Sequence, residues 1–177
     1  KTSYIKIPYK NLASVFTNDF TISIKVKPED CKTSLKEDFD EYQMVSIPGR
    51  NTGISYTSFK RYKGEIWTKD DKATSIQSDI LGEVWARLVI TKTDDEFCFY
   101  MNGELIDKKE LSEQLYEYEL DYFYIGAGNP TIDKEQFYFK GLMAEFAVWN
   151  IALDENNIKD IYENSLYKSI INDFKKY

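Results

Sequence analysis

Histidine is absent from the chain, and that one gap removes several functions at once. Without imidazole there is no Ser–His–Asp or Cys–His nucleophile, no His-ligated zinc and no imidazole switch near neutral pH. Cysteine is scarce, with Cys31 in a polar stretch and Cys98 in an alternating one. Two such thiols read as inert rather than bridged, and the sequence leaves their pairing open. Basic charge is in deficit: 23 Lys and Arg against 30 Asp and Glu give a formal net charge of -7. A nucleic-acid backbone or an anionic membrane surface would need a basic face, so neither partner is expected. Nor does any apolar run approach the roughly 20 residues of a membrane-spanning helix, so no membrane insertion is expected. No secretory leader is recognisable and the chain opens on Lys1, which reads as a processed protein or an excised domain.

What remains is apolar and aromatic. The 177 residues are 42% hydrophobic and 16% aromatic, too apolar for disorder and long enough for one domain with its own core. Most of the chain alternates with period two. Phe20, Ile22, Ile24 and Val26 leave one face while Thr21, Ser23, Lys25 and Lys27 leave the other. The same pattern sets Phe97, Phe99 and Met101 against Glu96, Cys98 and Tyr100, and recurs in Leu88 with Ile90, Phe123 with Ile125, and Ala144, Phe146 and Val148. Half-buried antiparallel strands read this way, because successive side chains leave opposite faces. Asn102-Gly103, set between two such runs, is a two-residue hairpin signal because both residues accept positive φ. Asp94-Asp95 marks a second tight turn. Many short strands separated by turns predict an all-β sandwich.

The C-terminus reads differently. Asp154 is placed to cap a helix, Glu155 suits its first turn, and Ile158, Ile161, Tyr162, Leu166, Ile170 and Phe174 follow helical spacing. The expected division is a β domain over 1–164 and a helical tail over 165–177 leading toward a further domain. The polar, aperiodic stretch Pro28–Tyr42 reads as a long loop.

Four segments, in order, carry a family resemblance. Asp19-Phe20-Thr21-Ile22-Ser23-Ile24-Lys25-Val26-Lys27-Pro28 is similar to a "DFTISxWVKP" strand. Trp85 to Thr91 followed by Phe99 to Ile106 resembles a W-x-x-V-x-V-T strand and its Y-x-N-G hairpin. Phe123-Tyr124-Ile125-Gly126 is the third segment, and Phe139 to Leu153, followed by an acidic helix, is similar to an "F-x-G-x-I-D-E-V-R-I-Y-N-R-A-L" ending. Together they resemble the laminin-G-like, concanavalin-A-like lectin/glucanase superfamily. That resemblance implies a two-sheet antiparallel jelly-roll sandwich closed by a short C-terminal helix. Within it, Gly64-Glu65-Ile66-Trp67 and Asn102 to Asp107 resemble the jelly-roll half of clostridial neurotoxin binding regions. The terminal strand and helix resemble sialic-acid-binding modules attached to bacterial sialidases. Some relatives place Asp where this chain has Ala144 and bind calcium near that strand, so the departure speaks against a family-type calcium site.

The fold hosts lectins, glucanases and adhesion domains, so function rests on particular residues. A glucanase of this fold needs carboxylates at every second position of one strand. Glu37-Asp38-Phe39-Asp40-Glu41 breaks that register at Phe39 and sits in the polar stretch, so catalysis is not expected. No cofactor is expected either. Calcium is the one candidate ion, with loop oxygens in Asn129-Pro130-Thr131-Ile132-Asp133 and Asp94-Asp95, which turn chemistry explains equally well.

Sugar recognition needs an aromatic face for the pyranose ring and polar groups beside it. Arg50, Asn51, Tyr56, Arg61, Tyr62 and Trp67, with Asn129 from a later loop, form the candidate set. Covering the edge of the core is the plainer role for Tyr56, Tyr62 and Trp67 alike. The expectation is a non-catalytic glycan-binding module of a secreted or cell-surface protein, whose partner is an oligosaccharide or glycoconjugate. A protein-interaction module on the same fold is the second reading, from the acidic tyrosine run Tyr116-Glu117-Tyr118-Glu119-Leu120-Asp121-Tyr122 and the helical tail.

Overall fold

The computed structural model describes residues 4–16, 18–29, 41–46, 52–57, 60–70, 72–79, 84–111, 115, 122–128 and 138–165. Among them the chain forms β1 (Ile5–Pro8), β2 (Phe20–Pro28), β3 (Glu41–Ser46), β4 (Gly53–Thr57), β5 (Tyr62–Trp67), β6 (Ala73–Gln77), β7 (Ala86–Lys92), β8 (Glu96–Met101), β9 (Glu104–Glu110), β10 (Tyr122–Ile125), β11 (Gly141–Trp149) and the helix α1 (Glu155–Glu163). Two antiparallel sheets result, in the orders β1-β10-β3-β4-β5-β6 and β11-β2-β7-β8-β9. This is the two-sheet jelly roll with a C-terminal helix that the alternation and the family resemblance predict. The polar stretch ends sooner than the sequence indicates, since Glu41 and Tyr42 already pair with Thr57 and Tyr56.

Each hairpin follows from local chemistry. Asn102 and Gly103 both take positive φ, 54° and 86°, the backbone that a two-residue turn between right-twisted strands requires. The Asn102 side-chain oxygen also accepts from the Arg87 backbone N–H at 2.9 Å, tying the turn to β7. Between β7 and β8 the Thr93 N–H donates to the Glu96 carbonyl at 2.9 Å, which closes the turn around Asp94-Asp95.

The core lies between the sheets. Phe20, Ile22, Ile24 and Val26 of β2, Leu88 and Ile90 of β7, and Phe97, Phe99 and Met101 of β8 meet Ile54, Tyr56, Tyr62, Ile66, Phe123 and Ile125 of the other sheet. Each such apolar side chain contributes about 1.5–3 kcal/mol by leaving water. Phe16 locks one side by packing edge-on to Phe20 at 5.2 Å and stacking on Phe123 at 5.8 Å.

One expectation needs correction. Strands β2 and β7 read as half-buried, yet nearly every residue of both is buried on either face. The cause is the chain after β11, which crosses the outer side of the five-stranded sheet. Thr21 Oγ1 donates to the Ile151 carbonyl at 2.8 Å and accepts from the Leu153 N–H at 2.9 Å. Helix α1, capped by the Asp154 carboxylate accepting from the Asn157 N–H at 2.8 Å, then seats Ile158 against Val89, Cys98 and Tyr100. Of the expected helical tail, 165–177, all but Ser165 lies outside the described residues. No helix among the described residues is long and apolar enough to cross a membrane. Cys98 carries a free, buried thiol, while Cys31 lies outside the described residues.

Candidate functional site

Pairing across the six-stranded sheet decides which side chains share its outer face. Lys6 pairs with Tyr124, Tyr124 with Ser46, Ser46 with Gly53, Gly53 with Glu65 and Glu65 with Ser75. The next row on that face runs Gln43, Ser55, Lys63 and Gln77. A bulge between Gln43 and Val45 lets Gln43 and Ser46 face the same way while Val45 turns into the core. The outer face is therefore polar, and its central members Gln43, Ser46, Ser55, Lys63 and Glu65 are buried.

Glu65 is the hinge of this arrangement. Its carboxylate accepts from Lys63 Nζ at 2.5 Å and from the Trp67 indole N–H at 3.0 Å. A buried carboxylate needs such partners, because leaving it alone in low dielectric would cost several kcal/mol. The Trp67 ring is thereby oriented at the end of β5, half-buried, with its backbone N–H donating to Thr52 Oγ1 at 2.9 Å. The turn that follows adds polar groups. Thr68 Oγ1 donates to Asp70 at 2.6 Å, and Lys72 Nζ pairs with the same carboxylate at 2.5 Å. Hydrogen bonds from Lys72 and Thr68 hold the Asp70 carboxyl below its ordinary pKa, so it is an acceptor at neutral pH.

The sequence-predicted residues separate. Trp67 stands at this site. Tyr56 and Tyr62 face each other across β4 and β5 with ring centroids 5.3 Å apart, and each is 1% exposed. Their rings belong to the core and present no face for a sugar. The physical reason is parity: Tyr62, Gly64 and Ile66 point inward, so Lys63, Glu65 and Trp67 must point outward. Arg61 precedes the other end of β5, ion-paired with Asp79 at 3.8 Å. At ~3.3 Å per residue it lies roughly 20 Å along the strand from Trp67, too far to share one sugar ring. Arg50, Asn51 and Asn129 lie outside the described residues, as do the carboxylates 37–40 and the loop 129–133. Thr52, the next residue after Asn51, is the one bonded to Trp67. Among the described residues no three His, Cys, Asp or Glu side chains gather as metal ligands.

Burial of Tyr62 has a measurable consequence. Loss of hydration, with Tyr56 beside it, raises the Tyr62 phenol far above its ordinary pKa, and burial does the same to Tyr100, with Cys98 adding to it. Both folded values exceed the unfolded value. Stability from keeping these phenols neutral is thus complete below about pH 10 and is lost as pH rises beyond it, at about 1.4 kcal/mol per pH unit for each phenol. Urea unfolding measured from pH 9 to 12 should show this fall, to which the buried Cys98 thiol, also raised by burial, adds, and Tyr62→Phe should remove about 1.4 kcal/mol per pH unit of it. An unchanged slope in Tyr62→Phe would place the titrating groups elsewhere.

A group missed by sequence reading sits on the same face at the opposite edge. Lys6 Nζ lies over the rings of Tyr4, Tyr122 and Tyr124 at 5.5, 5.5 and 5.6 Å. Tyr4 also meets Tyr124 and Tyr138, at 6.3 and 5.8 Å between centroids. The alternation Lys6 out, Ile7 in was a readable signal for a short strand, but its pairing with β10 was not.

A sequence profile of the concanavalin A-like lectin/glucanases superfamily matches residues 1–159. No curated protein matches the chain. Among solved structures, the receptor-binding domain of botulinum neurotoxin C/D mosaic serotype is 17% identical with a TM-score of 0.65, over 92% of this chain and 40% of that one. The binding domain of botulinum neurotoxin serotype D is 16% identical with a TM-score of 0.68, over 93% and 41%. The binding domain of Paraclostridial Mosquitocidal Protein 1 is 18% identical with a TM-score of 0.62, over 84% and 37%. The chain thus spans about two-fifths of the length of these solved chains, and at such identities the likeness is one of fold. By the extent of the profile match, the chain belongs to the concanavalin A-like lectin/glucanase superfamily.

Proposed function

We propose that this member of the concanavalin A-like superfamily is a non-catalytic glycan-binding module acting outside the cell or at its surface. The observation that carries the reading is Trp67, an indole fixed by Glu65 at the edge of a polar sheet face, with Thr52 on its backbone N–H and the Asp70–Lys72 pair in the turn that follows it. An apolar sugar face stacks on such a ring while hydroxyls bond to polar groups beside it. Arg50 and Asn51 join the reading through Thr52, their neighbour in sequence. Glu65 is engaged by Lys63 and by the indole, which suits a carboxylate that orients a ring rather than one that attacks or protonates a glycosidic bond. No metal takes part, so chelator is expected to leave binding unchanged.

The test is a glycan array followed by calorimetric titration of the hits. Trp67→Ala should weaken binding about 30-fold, the ~2 kcal/mol of one central aromatic anchor, while Trp67→Phe retains most of it. A blank array with folded protein, or full affinity in Trp67→Ala, would overturn the reading. A protein partner is the second reading. It is supported by the structural neighbours, which are receptor-binding domains, one of them solved in complex with rat synaptotagmin II.

A further inference from the structure

We propose that Asn102-Gly103 is a site of covalent self-modification, the deamidation of Asn102, which the folded hairpin holds shut and helix α1 gates. The inference goes beyond glycan binding and does not depend on it. Of the chain's 8 glycines only Gly103 follows an asparagine. That order favours the chemistry, because glycine has no Cβ to shield its backbone nitrogen and leaves the peptide free to rotate. The Gly103 nitrogen attacks Asn102 Cγ, the Cγ–Nδ2 bond breaks, and ammonia leaves carrying the proton that the Gly103 nitrogen gives up. A five-membered succinimide remains. Both reacting groups belong to adjacent residues, so no partner molecule has to be brought in. Water then opens the ring. Addition at Cγ gives aspartate. Addition at the Asn102 backbone carbonyl gives isoaspartate, whose main chain runs through the former side chain and is one carbon longer.

The folded turn opposes the attack. Asn102 is bound to Arg87 twice: its Oδ1 accepts from the Arg87 N–H at 2.9 Å, and its own N–H donates to the Arg87 carbonyl at 2.8 Å. The carboxamide is thus tied to β7 and must leave Arg87 before Cγ can turn to the Gly103 nitrogen. Pairing of Met101 with Glu104 fixes the two turn residues at φ 54° and 86°, which hinders the peptide rotation that ring closure needs. Tyr162 of α1 covers the turn. A Cβ built on Gly103 would lie 3.2 Å from Tyr162 Cδ1 and 3.4 Å from its Cβ, so this side chain rests against Gly103. Helix α1 is anchored in turn by Ile158, its buried residue, on Val89, Cys98 and Tyr100. Deamidation therefore requires local opening, and its rate is the open fraction multiplied by the rate of the free turn. Closing does not undo the product. Isoaspartate, with its extra carbon, cannot rebuild a two-residue turn or hold β9 in register on β8. The site becomes an irreversible record of how often this end of the sandwich has opened.

The experiment ages the intact chain in mildly alkaline buffer, with and without guanidinium chloride, and follows residue 102 by peptide mapping that separates Asn, Asp and isoaspartate. The folded chain should deamidate at least about tenfold more slowly than the chain in denaturant. Tyr162→Ala uncovers Gly103 and leaves Ile158 in place, and it should raise the folded rate at least about threefold; Ile158→Ala, which loosens α1, should raise it at least as much. Circular dichroism establishes that each variant is folded, and the Tyr162 variant decides alone where the Ile158 variant is not. On removal of denaturant, chains carrying isoaspartate should not regain the parent's stability. Asn102→Asp, with the charge of the deamidated form and an unaltered backbone, should refold as the parent does. Equal rates with and without denaturant, a rate unchanged in Tyr162→Ala, or isoaspartate chains as stable as the parent would each overturn the inference.

Discussion

Replacing Glu145 by alanine should lower stability by about 3 kcal/mol, because it removes the carboxylate shared by two buried cations. Arg87 is 4% exposed at the centre of the five-stranded sheet. It donates to Ser23 Oγ at 3.2 Å, to the Glu145 carbonyl at 3.1 Å and to the Glu145 carboxylate. Lys25, also buried, approaches the same carboxylate at 3.6 Å and lies over the Trp85 ring at 5.8 Å. Burial pulls the Lys25 pKa below the ordinary lysine value, with Glu145 opposing that fall and Arg87 adding to it. The carboxylate is therefore the charge that makes burying both cations tolerable. Glu145 reaches them from a β-bulge in β11, where its φ is +50°. For a side chain with a Cβ, that left-handed backbone costs roughly 1 kcal/mol. Glu145→Gly loses the same carboxylate but relieves the strain, so it should be about 1 kcal/mol less destabilising than Glu145→Ala. At 2–4 °C per kcal/mol for a chain of this size, the alanine variant should melt about 6–12 °C below the parent. A thermal scan showing less than about 2 °C would mean that solvent, not Glu145, balances the two cations.

Among the described glycines, Gly53→Ala should be the most damaging substitution by alanine, at about 3–5 kcal/mol. Gly53 has φ +148°, and a Cβ there would lie 2.0 Å from the Val45 carbonyl oxygen and 2.9 Å from its carbon. These are backbone atoms at the bulge of β3, held by register to β4, so they cannot turn aside as a side chain would. Gly64 offers the comparison. A Cβ at Gly64 would meet Ile90 Cγ2 at 3.0 Å and the Phe97 and Phe99 rings at 3.2 Å, all side-chain atoms able to shift. Gly64→Ala should therefore cost about 1–3 kcal/mol. Because Gly53 lies between Ser46 and Glu65 in one row, its replacement should also disturb the Glu65–Trp67 contact, visible as a change in tryptophan fluorescence. Urea unfolding of both variants decides the order; a Gly53→Ala protein as stable as Gly64→Ala would show that β3 can shift its backbone freely.

Much of the fold was legible because the side-chain period of a strand is a local property. Phe20 to Val26, Leu88 with Ile90, and Phe97 to Met101 announce their core face without reference to any other strand. Asn102-Gly103 announces its turn through the φ values that these two residues accept, and Asp154 announces its helix through a side chain that reaches its own Asn157 N–H. The same local rule also contained a correction. Tyr62 and Trp67 differ by an odd number of positions, so one strand cannot present both on one face.

The rest was decided by contacts between distant segments. Tyrosine is amphipathic and suits either face of a sheet, so its placement depends on what lies opposite. For Tyr56 and Tyr62 that is each other and the core, which turned two candidate ligand residues into packing residues. Thr21 and Ser23 alternate as a solvent face would, yet the chain after β11 returns to bond Thr21 and the Glu145 bulge brings Arg87 to Ser23, and both are buried. Lys6 and Tyr122 lie far apart in the sequence and meet only because β1 pairs with β10. The sequence alone determined the alternation, the turns, the capped helix and hence the family fold. Only the tertiary structure decided which polar face is covered and which aromatic residues gather into a surface, because register and layer packing are set by free energies summed over the whole sandwich and not by any one segment.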